Sequence, residues 1–74
     1  MGSASDWKHL EPAVEVLRQL GVTCDVHVSS AHRTPERTAE LVRDADAGGC
    51  RAFICAAGMA AHLAGFVAGL TLRP

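Results

Sequence analysis

The chain has 74 residues, of which 49% are hydrophobic and 20% are charged, and its formal net charge at pH 7 is −1. This length allows one small domain, and this apolar content excludes a disordered chain. One tryptophan, two phenylalanines and no tyrosine, together with the weak charge, exclude the basic surface and stacking side chains of a nucleic-acid binder.

The N-terminal part predicts a short loop followed by a helix. Ser5 or Asp6 is suited to cap the first helical turn, and Gly21 is suited to end the helix in the left-handed conformation. Pro12 interrupts this pattern, so we expect either a kink there or a regular helix that begins near Glu11. The apolar residues at helical spacing are Leu10, Ala13, Val14, Leu17 and Leu20.

A strand and a second helix are predicted next. Val22 to Val28 alternates between apolar and polar residues, as expected for a strand near the edge of a sheet. Thr34 is a suitable N-cap and Pro35 a suitable first helical residue, and Gly48-Gly49 should end that helix. The apolar stripe of this helix consists of Leu41, Val42 and Ala45.

A second strand and a third helix complete the pattern. Ala52 to Ala57 is continuously apolar, which predicts a central parallel strand buried on both faces. The small residues from Gly58 to Gly65 are predicted to begin the third helix. Because His62 and several glycines interrupt this apolar region, we expect no membrane span. The order α, β, α, β, α predicts an α/β fold with a parallel sheet and right-handed crossovers.

The cysteines and glycines argue against a disulfide framework, a metal site and a nucleotide cofactor. Cys24, Cys50 and Cys55 form no C-x-x-C pair, and we expect them to be reduced, buried thiols of a cytoplasmic protein. The histidines and cysteines lack zinc-ligand spacing. The sequence around Gly58 is neither a dinucleotide-binding glycine motif nor a P-loop.

Three loops, residues 2–6, 29–34 and 57–62, are expected at one end of the predicted sheet. Each leads into a helix N-terminus, where free amides and the helix dipole favour anions. Asp6 suits the hydroxyls of a sugar, and His32 suits proton transfer near neutral pH. The side chains suited to a phosphate are Ser3, Ser5, Ser29, Ser30 and Arg33.

Several side chains of these loops also have a purely structural alternative. Ser5 and Asp6 can be helix caps, and Arg33 can be a surface cation. His32 can be an ordinary turn histidine. His62, on a face rich in alanine and glycine, can be a hydrogen-bonded structural histidine.

Three motifs in order carry a family resemblance over nearly the whole chain. They are M-G-S-x-S-D-W at the N-terminus, S-A-H-R-T-P at residues 30–35 and G-x-A-A-H-L-x-G at residues 58–65. With these motifs the chain resembles the catalytic subunit family of phosphoribosylaminoimidazole carboxylase.

The resemblance implies a flavodoxin-like, three-layer α/β/α fold and a cytoplasmic homo-octamer with active sites between subunits. Residues 1–74 would then be a single partial domain. The family's first strand would be expected before Met1, and its later strands and C-terminal helix after Pro74.

The resemblance also implies a cofactor-free reaction of purine biosynthesis on a small-molecule substrate. In it a carboxylate moves from an exocyclic nitrogen to a neighbouring ring carbon of an aminoimidazole ribotide. His32 matches the family's general acid/base, and Ser3, Asp6 and Arg33 match residues that hold the ribose phosphate. The positions that match the lining of the same pocket are Ser30, Gly58, Ala60, Ala61 and His62.

Two features favour the mutase class of that family, which acts on 5-(carboxyamino)imidazole ribonucleotide. These are Trp7 and the arginine directly after His32, where animal-type carboxylases that use carbon dioxide usually have lysine. Direct carboxylation is one alternative, and a non-catalytic piece that binds a ribose phosphate or only assembles is another. Met59 and Ala64 depart from the family's usual glycine and proline, and we expect both changes to be tolerated.

Overall fold

The structure is a computed structural model, and it describes residues 1–59 and 62–74. Its regular elements are helical, and the segments between them are turns or extended chain. In chain order they are a 3₁₀ turn Ala4–Asp6, α1 Trp7–Gln19, α2 Pro35–Ala47 and α3 Leu63–Ala68. The three predicted helices are therefore confirmed.

Helix α1 begins at Trp7 and continues through Pro12, so the alternative start near Glu11 is wrong. A proline at this position removes the hydrogen bond to the carbonyl of Lys8 and crowds that carbonyl, yet the helix continues to Gln19. Gly21 follows the helix with φ of 74°. The predicted left-handed glycine stop is thus confirmed.

Helix α2 begins and ends at the predicted residues. Pro35 is its first residue and Thr34 occupies the N-cap position, but the Thr34 side chain makes no capping hydrogen bond. Its hydroxyl instead donates to the carbonyl of Ser30 at 3.1 Å. Gly48 is the C-cap, and Gly49 has φ of 90°, a conformation that favours glycine.

The core lies between α2 and α3 and is small. Val42 of α2 packs with Leu63 and Val67 of α3, and each of these is at most 6% exposed. No residue of α1 is buried, and Leu20 just beyond that helix is 71% exposed. Within the described ranges no helix is long and apolar enough to cross a membrane. Half-buried residues that flank the core are Ala31, Phe53, Cys55 and Leu70.

The predicted strands do not form within residues 1–59 and 62–74. Val22–Val28, here called the first extended segment, and Ala52–Ala57, the second extended segment, have no regular secondary structure. Ile54 is 64% exposed, so the prediction of a strand buried on both faces is wrong. The expectation of three buried thiols is also wrong, because Cys24 is exposed.

The reason is that, among the described residues, backbone hydrogen bonds reach each extended segment at only a few positions. The N-terminal ammonium of Met1 donates to the carbonyl of His27 at 2.8 Å, and the amide of Ser29 donates to the carbonyl of Met1 at 2.8 Å. The amide of Gly2 donates to the carbonyl of Ala56 at 3.1 Å. Met1 and Gly2 therefore lie between the two segments and join them at one end only.

Candidate active site

An open cleft of about 320 Å³ lies where three loops meet. Residues 2–6 contribute one wall, Ser30 to His32 the second, and Ala57 to Met59 with His62 the third. The hydrogen bonds of Met1 and Gly2 to the two extended segments bring these loops together. The three loops that were expected at one end of a sheet thus converge, although no sheet forms among the residues that the structure describes.

His32 and His62 contact each other in this cleft. Nδ1 of His62 lies 3.3 Å from Nε2 of His32, and the two rings are stacked with centroids 5.5 Å apart. A hydrogen bond between two ring nitrogens needs one N–H and one lone pair, so the two imidazoles cannot both carry a proton on these atoms. At these two atoms one ring therefore donates and the other accepts.

The first loop holds its polar groups in a capping box. The Ser3 hydroxyl accepts from the amide of Ser5 at 3.4 Å, and the Asp6 carboxylate accepts from the amide of Ser3 at 3.2 Å. These bonds satisfy free amides at the start of a helix. They also fix the Ser3 hydroxyl and the Asp6 carboxylate at the cleft wall, where both retain acceptor capacity.

Two hydrogen bonds accepted by Ser30 hold the second loop in a tight turn. The Ser30 hydroxyl accepts from the amide of Arg33 at 3.1 Å, and the Ser30 carbonyl accepts from the amide of Thr34 at 2.9 Å. These bonds close the tight turn that carries His32. The turn thus presents the imidazole at the mouth of the cleft, on the exposed side of the loop.

Ser29 does not face the cleft and is unavailable to a phosphate. It is 8% exposed, and its hydroxyl lies 2.6 Å from Oγ1 of Thr38. Because the Thr38 hydroxyl donates to the carbonyl of Thr34 at 3.1 Å, the Ser29 hydroxyl is the donor of this pair. Thr38 was not singled out from the sequence, although its position one turn before Val42 on the apolar side of α2 was a usable signal.

The remaining candidate residues differ in whether they line the cleft. Gly58 lines the cleft, whereas Arg33 is exposed and is absent from the lining among the described residues. Ala60 and Ala61 lie outside the described residues. Met59 lines the cleft with φ of 58°, a left-handed conformation in which a side chain is disfavoured.

Cys55, a residue of the second extended segment, lies half-buried beside the core. Burial raises the pKa of its thiol, and the nearby N-terminal ammonium of Met1 opposes that rise. The neutral thiol is therefore favoured.

The groups at the cleft suit proton transfer to a polar ligand. Two imidazoles can donate and accept protons, while one carboxylate and several hydroxyls can bind the oxygen atoms of a sugar or an anion. No group of three or more His, Cys, Asp or Glu side chains within residues 1–59 and 62–74 could hold a metal ion.

Comparison with known families gives a match over the entire chain. The model of the family described as AIR carboxylase matches residues 1–74. All three loops of the cleft lie inside this match.

Individual relatives agree with the family match. The chain is 51% identical over 74 residues to the N5-carboxyaminoimidazole ribonucleotide mutase of Methanocaldococcus jannaschii. It is 46% identical to the protein of the same name from Saccharolobus solfataricus and 47% identical to that from Aquifex aeolicus. All of this chain is aligned, but it covers only 45%, 47% and 44% of these relatives, respectively. The chain thus spans less than half the length of the relatives it matches.

Proposed function

The chain belongs to the AIR carboxylase family, and we propose that it carries the acid/base turn of an enzyme that shifts a carboxylate on an aminoimidazole ribotide. The observation that carries this proposal is the position of His32. Its imidazole lies in a cleft with hydroxyls, a carboxylate and a second imidazole. The names of relatives that are 46–51% identical support the same reaction.

The proposed substrate is 5-carboxyamino-1-(5-phosphoribosyl)imidazole, which carries a sugar, a phosphate and a carboxylate. Asp6 accepts hydrogen bonds from the ribose hydroxyls, and Ser3 and Ser30 hydrogen-bond to the phosphate oxygens. Arg33, which lies in the turn beside the cleft, supplies the positive charge that an anion requires.

The backbone of the third loop completes the proposed pocket. Gly58 offers close backbone approach to the imidazole ring of the ligand, and His62 contacts the catalytic histidine directly. Ala60 and Ala61 are assigned to this wall only because they match the G-x-A-A-H-L-x-G motif.

The proposed reaction proceeds in two stages and is balanced without a cofactor. First, the bond between the exocyclic nitrogen and the carboxylate breaks, carbon dioxide leaves, and the nitrogen takes a proton from His32. Second, the neighbouring ring carbon attacks the carbon dioxide, and His32 removes the proton from that carbon. The histidine ends in its starting state, as a general acid/base must, and the product is 5-amino-1-(5-phosphoribosyl)imidazole-4-carboxylate.

We further propose that the parent protein is a cytoplasmic homo-oligomer with a flavodoxin-like sheet. The support is the large apolar surface left uncovered by this chain, including Ile54 at 64% and Leu20 at 71% exposure. In the family's octamer, further chain and neighbouring subunits cover such surface.

An isotope experiment separates the mutase from the direct carboxylase. For this test the chain replaces the matching segment of the Methanocaldococcus jannaschii relative, which gives a protein of full length, here called the chimaera. The N-carboxylated ribotide, labelled with ¹³C in its carboxylate, is converted in unlabelled bicarbonate. A mutase yields a product that retains the label, whereas a direct carboxylase yields an unlabelled product and depends on added bicarbonate.

The same chimaera tests whether the chain is catalytic at all. If the chimaera binds the ribotide but forms no product, while the unaltered relative does, the chain is a non-catalytic binding module. If the chimaera forms product, and a substitution within residues 1–74 abolishes that turnover, the chain is not a non-catalytic binding module.

A further inference from the structure

Met59 combines two unfavourable features at the wall of the cleft. Its side chain is 105% exposed, and its backbone has φ of 58°, a conformation in which a side chain is disfavoured. Among residues 1–59 and 62–74, no other residue except glycine has a positive φ. Strained positions of this kind are concentrated at sites that bind ligands. A contact that forms only with a ligand would account for both features.

The cleft offers few apolar contacts to a ligand. Serine hydroxyls, imidazoles and the Asp6 carboxylate make up most of its lining side chains. Of the apolar lining residues, Ala31 and Ala57 are small, and Leu63 is only 6% exposed because it belongs to the core. Among the described residues of the lining, Met59 therefore has the one large apolar side chain that a ligand can reach.

The ribotide has one part that such a side chain suits. Its sugar, phosphate and carboxylate are polar, whereas the two faces of its imidazole ring are π surfaces. Binding sites combine a few polar groups with apolar contacts to surfaces of this kind. A methionine thioether makes favourable contacts with aromatic rings, and its unbranched chain adapts to their position. Met59 thus suits the ring rather than the sugar or the phosphate.

We propose that the side chain of Met59 packs on the imidazole ring of the bound ribotide and selects for ligands that carry this ring. The proposal rests on the proposed function, because it takes the same ribotide as the ligand. Met59 exchanges no proton in this arrangement, so it determines specificity while His32 performs the proton transfer. Binding covers the exposed thioether, which is the contact that the free cleft lacks.

Substitutions at residue 59 of the chimaera test this contact with two probes, the product ribotide and ribose 5-phosphate, which lacks the ring. Met59→Ala should raise the Kd for the ribotide about 3- to 10-fold and leave the Kd for ribose 5-phosphate unchanged. Met59→Leu should keep most of the affinity for the ribotide, because leucine retains the apolar bulk. The matched control is Leu72→Ala, which should alter neither Kd, because Leu72 is 104% exposed but does not line the cleft.

The methyl resonance of Met59 gives a readout that does not depend on affinity. In the chimaera with ¹³C-labelled methionine methyl groups, the Met59 signal is identified by its loss in the Met59→Leu variant. An aromatic ring shifts the resonance of a methyl group packed on its face upfield. The ribotide should therefore move the Met59 signal upfield, and ribose 5-phosphate should not.

Two results would overturn this proposal while the proposed function stands. One is an unchanged Kd for the ribotide in Met59→Ala, and a changed sedimentation of that variant would then show that protein covers the side chain. The other is a Met59 methyl signal that the ribotide does not move. A chimaera that binds no ribotide would overturn the proposed function and this proposal together.

Discussion

Nδ1 of His62 lies 3.3 Å from Nε2 of His32, although 30 residues separate the two in sequence. The contact links the second and third loops of the cleft at the atoms that would move protons. If Nδ1 of His62 accepts, Nε2 of His32 carries the proton. If Nδ1 of His62 donates, Nε2 of His32 supplies the lone pair. The tautomer of one ring is thereby tied to that of the other at these two atoms.

Replacement of His62 by asparagine should change the tautomer balance of His32. Turnover of the chimaera should fall by about 3- to 10-fold, as expected for the loss of one hydrogen bond of roughly 1 kcal/mol. Ring ¹⁵N chemical shifts of His32 provide a readout that does not depend on activity. The matched control is His9→Asn, an exposed histidine of α1, which should alter neither. Unchanged ¹⁵N shifts in the His62 variant would contradict the coupling.

Replacement of Arg33 by alanine should weaken phosphate-bearing ligands. A charge-assisted contact to phosphate contributes about 1.5–3 kcal/mol, so the Kd for the ribotide should rise at least 10-fold. The corresponding nucleoside without phosphate should bind equally to both proteins. Arg37→Ala is the matched control, because Arg37 is an exposed cation of the adjoining helix. Equal effects of the two substitutions would mean that Arg33 supplies only general positive charge.

The buried pair Ser29–Thr38 should stabilise the turn that carries His32 rather than bind ligand. Thr38→Val leaves the Ser29 hydroxyl without its acceptor in a buried site, which should cost about 1–3 kcal/mol in the free energy of unfolding. Ser29→Ala should cost less, because Thr38 keeps its bond to the carbonyl of Thr34. Urea unfolding of both single variants and the double variant gives the coupling energy. Strict additivity would show that the hydroxyls do not interact.

Replacement of Met59 by glycine should stabilise the third loop. A side chain at φ of 58° costs about 1–2 kcal/mol. Glycine removes this cost but destabilises the folded state by about 0.5–1 kcal/mol, because the unfolded chain gains conformational freedom. The net gain should be about 0.5–1 kcal/mol in urea unfolding.

Gly49→Ala offers the reverse comparison. Gly49 has φ of 90°, and an added Cβ would meet nothing within 4 Å, so the loss of stability would come from the backbone alone. If Met59→Gly destabilises the chain as Gly49→Ala does, the left-handed conformation of residue 59 is not strained.

The helices could be predicted because their signals are local. Apolar spacing along α1 and the paired glycines after α2 specify each element within its own few residues. The strands could not be settled in this way, since alternation from Val22 to Val28 shows only that the segment suits a sheet. Whether it becomes a strand depends on a neighbour elsewhere in the chain or outside it.

The site was predictable in outline for a related reason. The residue types in each loop indicated anion binding and proton transfer, and the parallel topology indicated that the loops meet. The inward position of Ser29 depends on Thr38 of another element, and the approach of His62 to His32 depends on tertiary packing. Neither of these two contacts can be predicted from the spacing of residues along the sequence.

The most direct test of His32 as the general acid/base is turnover by the chimaera with His32→Asn. Asparagine keeps a hydrogen-bonding side chain of similar size but cannot cycle a proton. Product formation should fall by at least about 100-fold, as for loss of a general acid/base, while the Kd for the ribotide and the far-ultraviolet circular dichroism spectrum are retained. Turnover within a few-fold of the unsubstituted chimaera would contradict the assignment of His32.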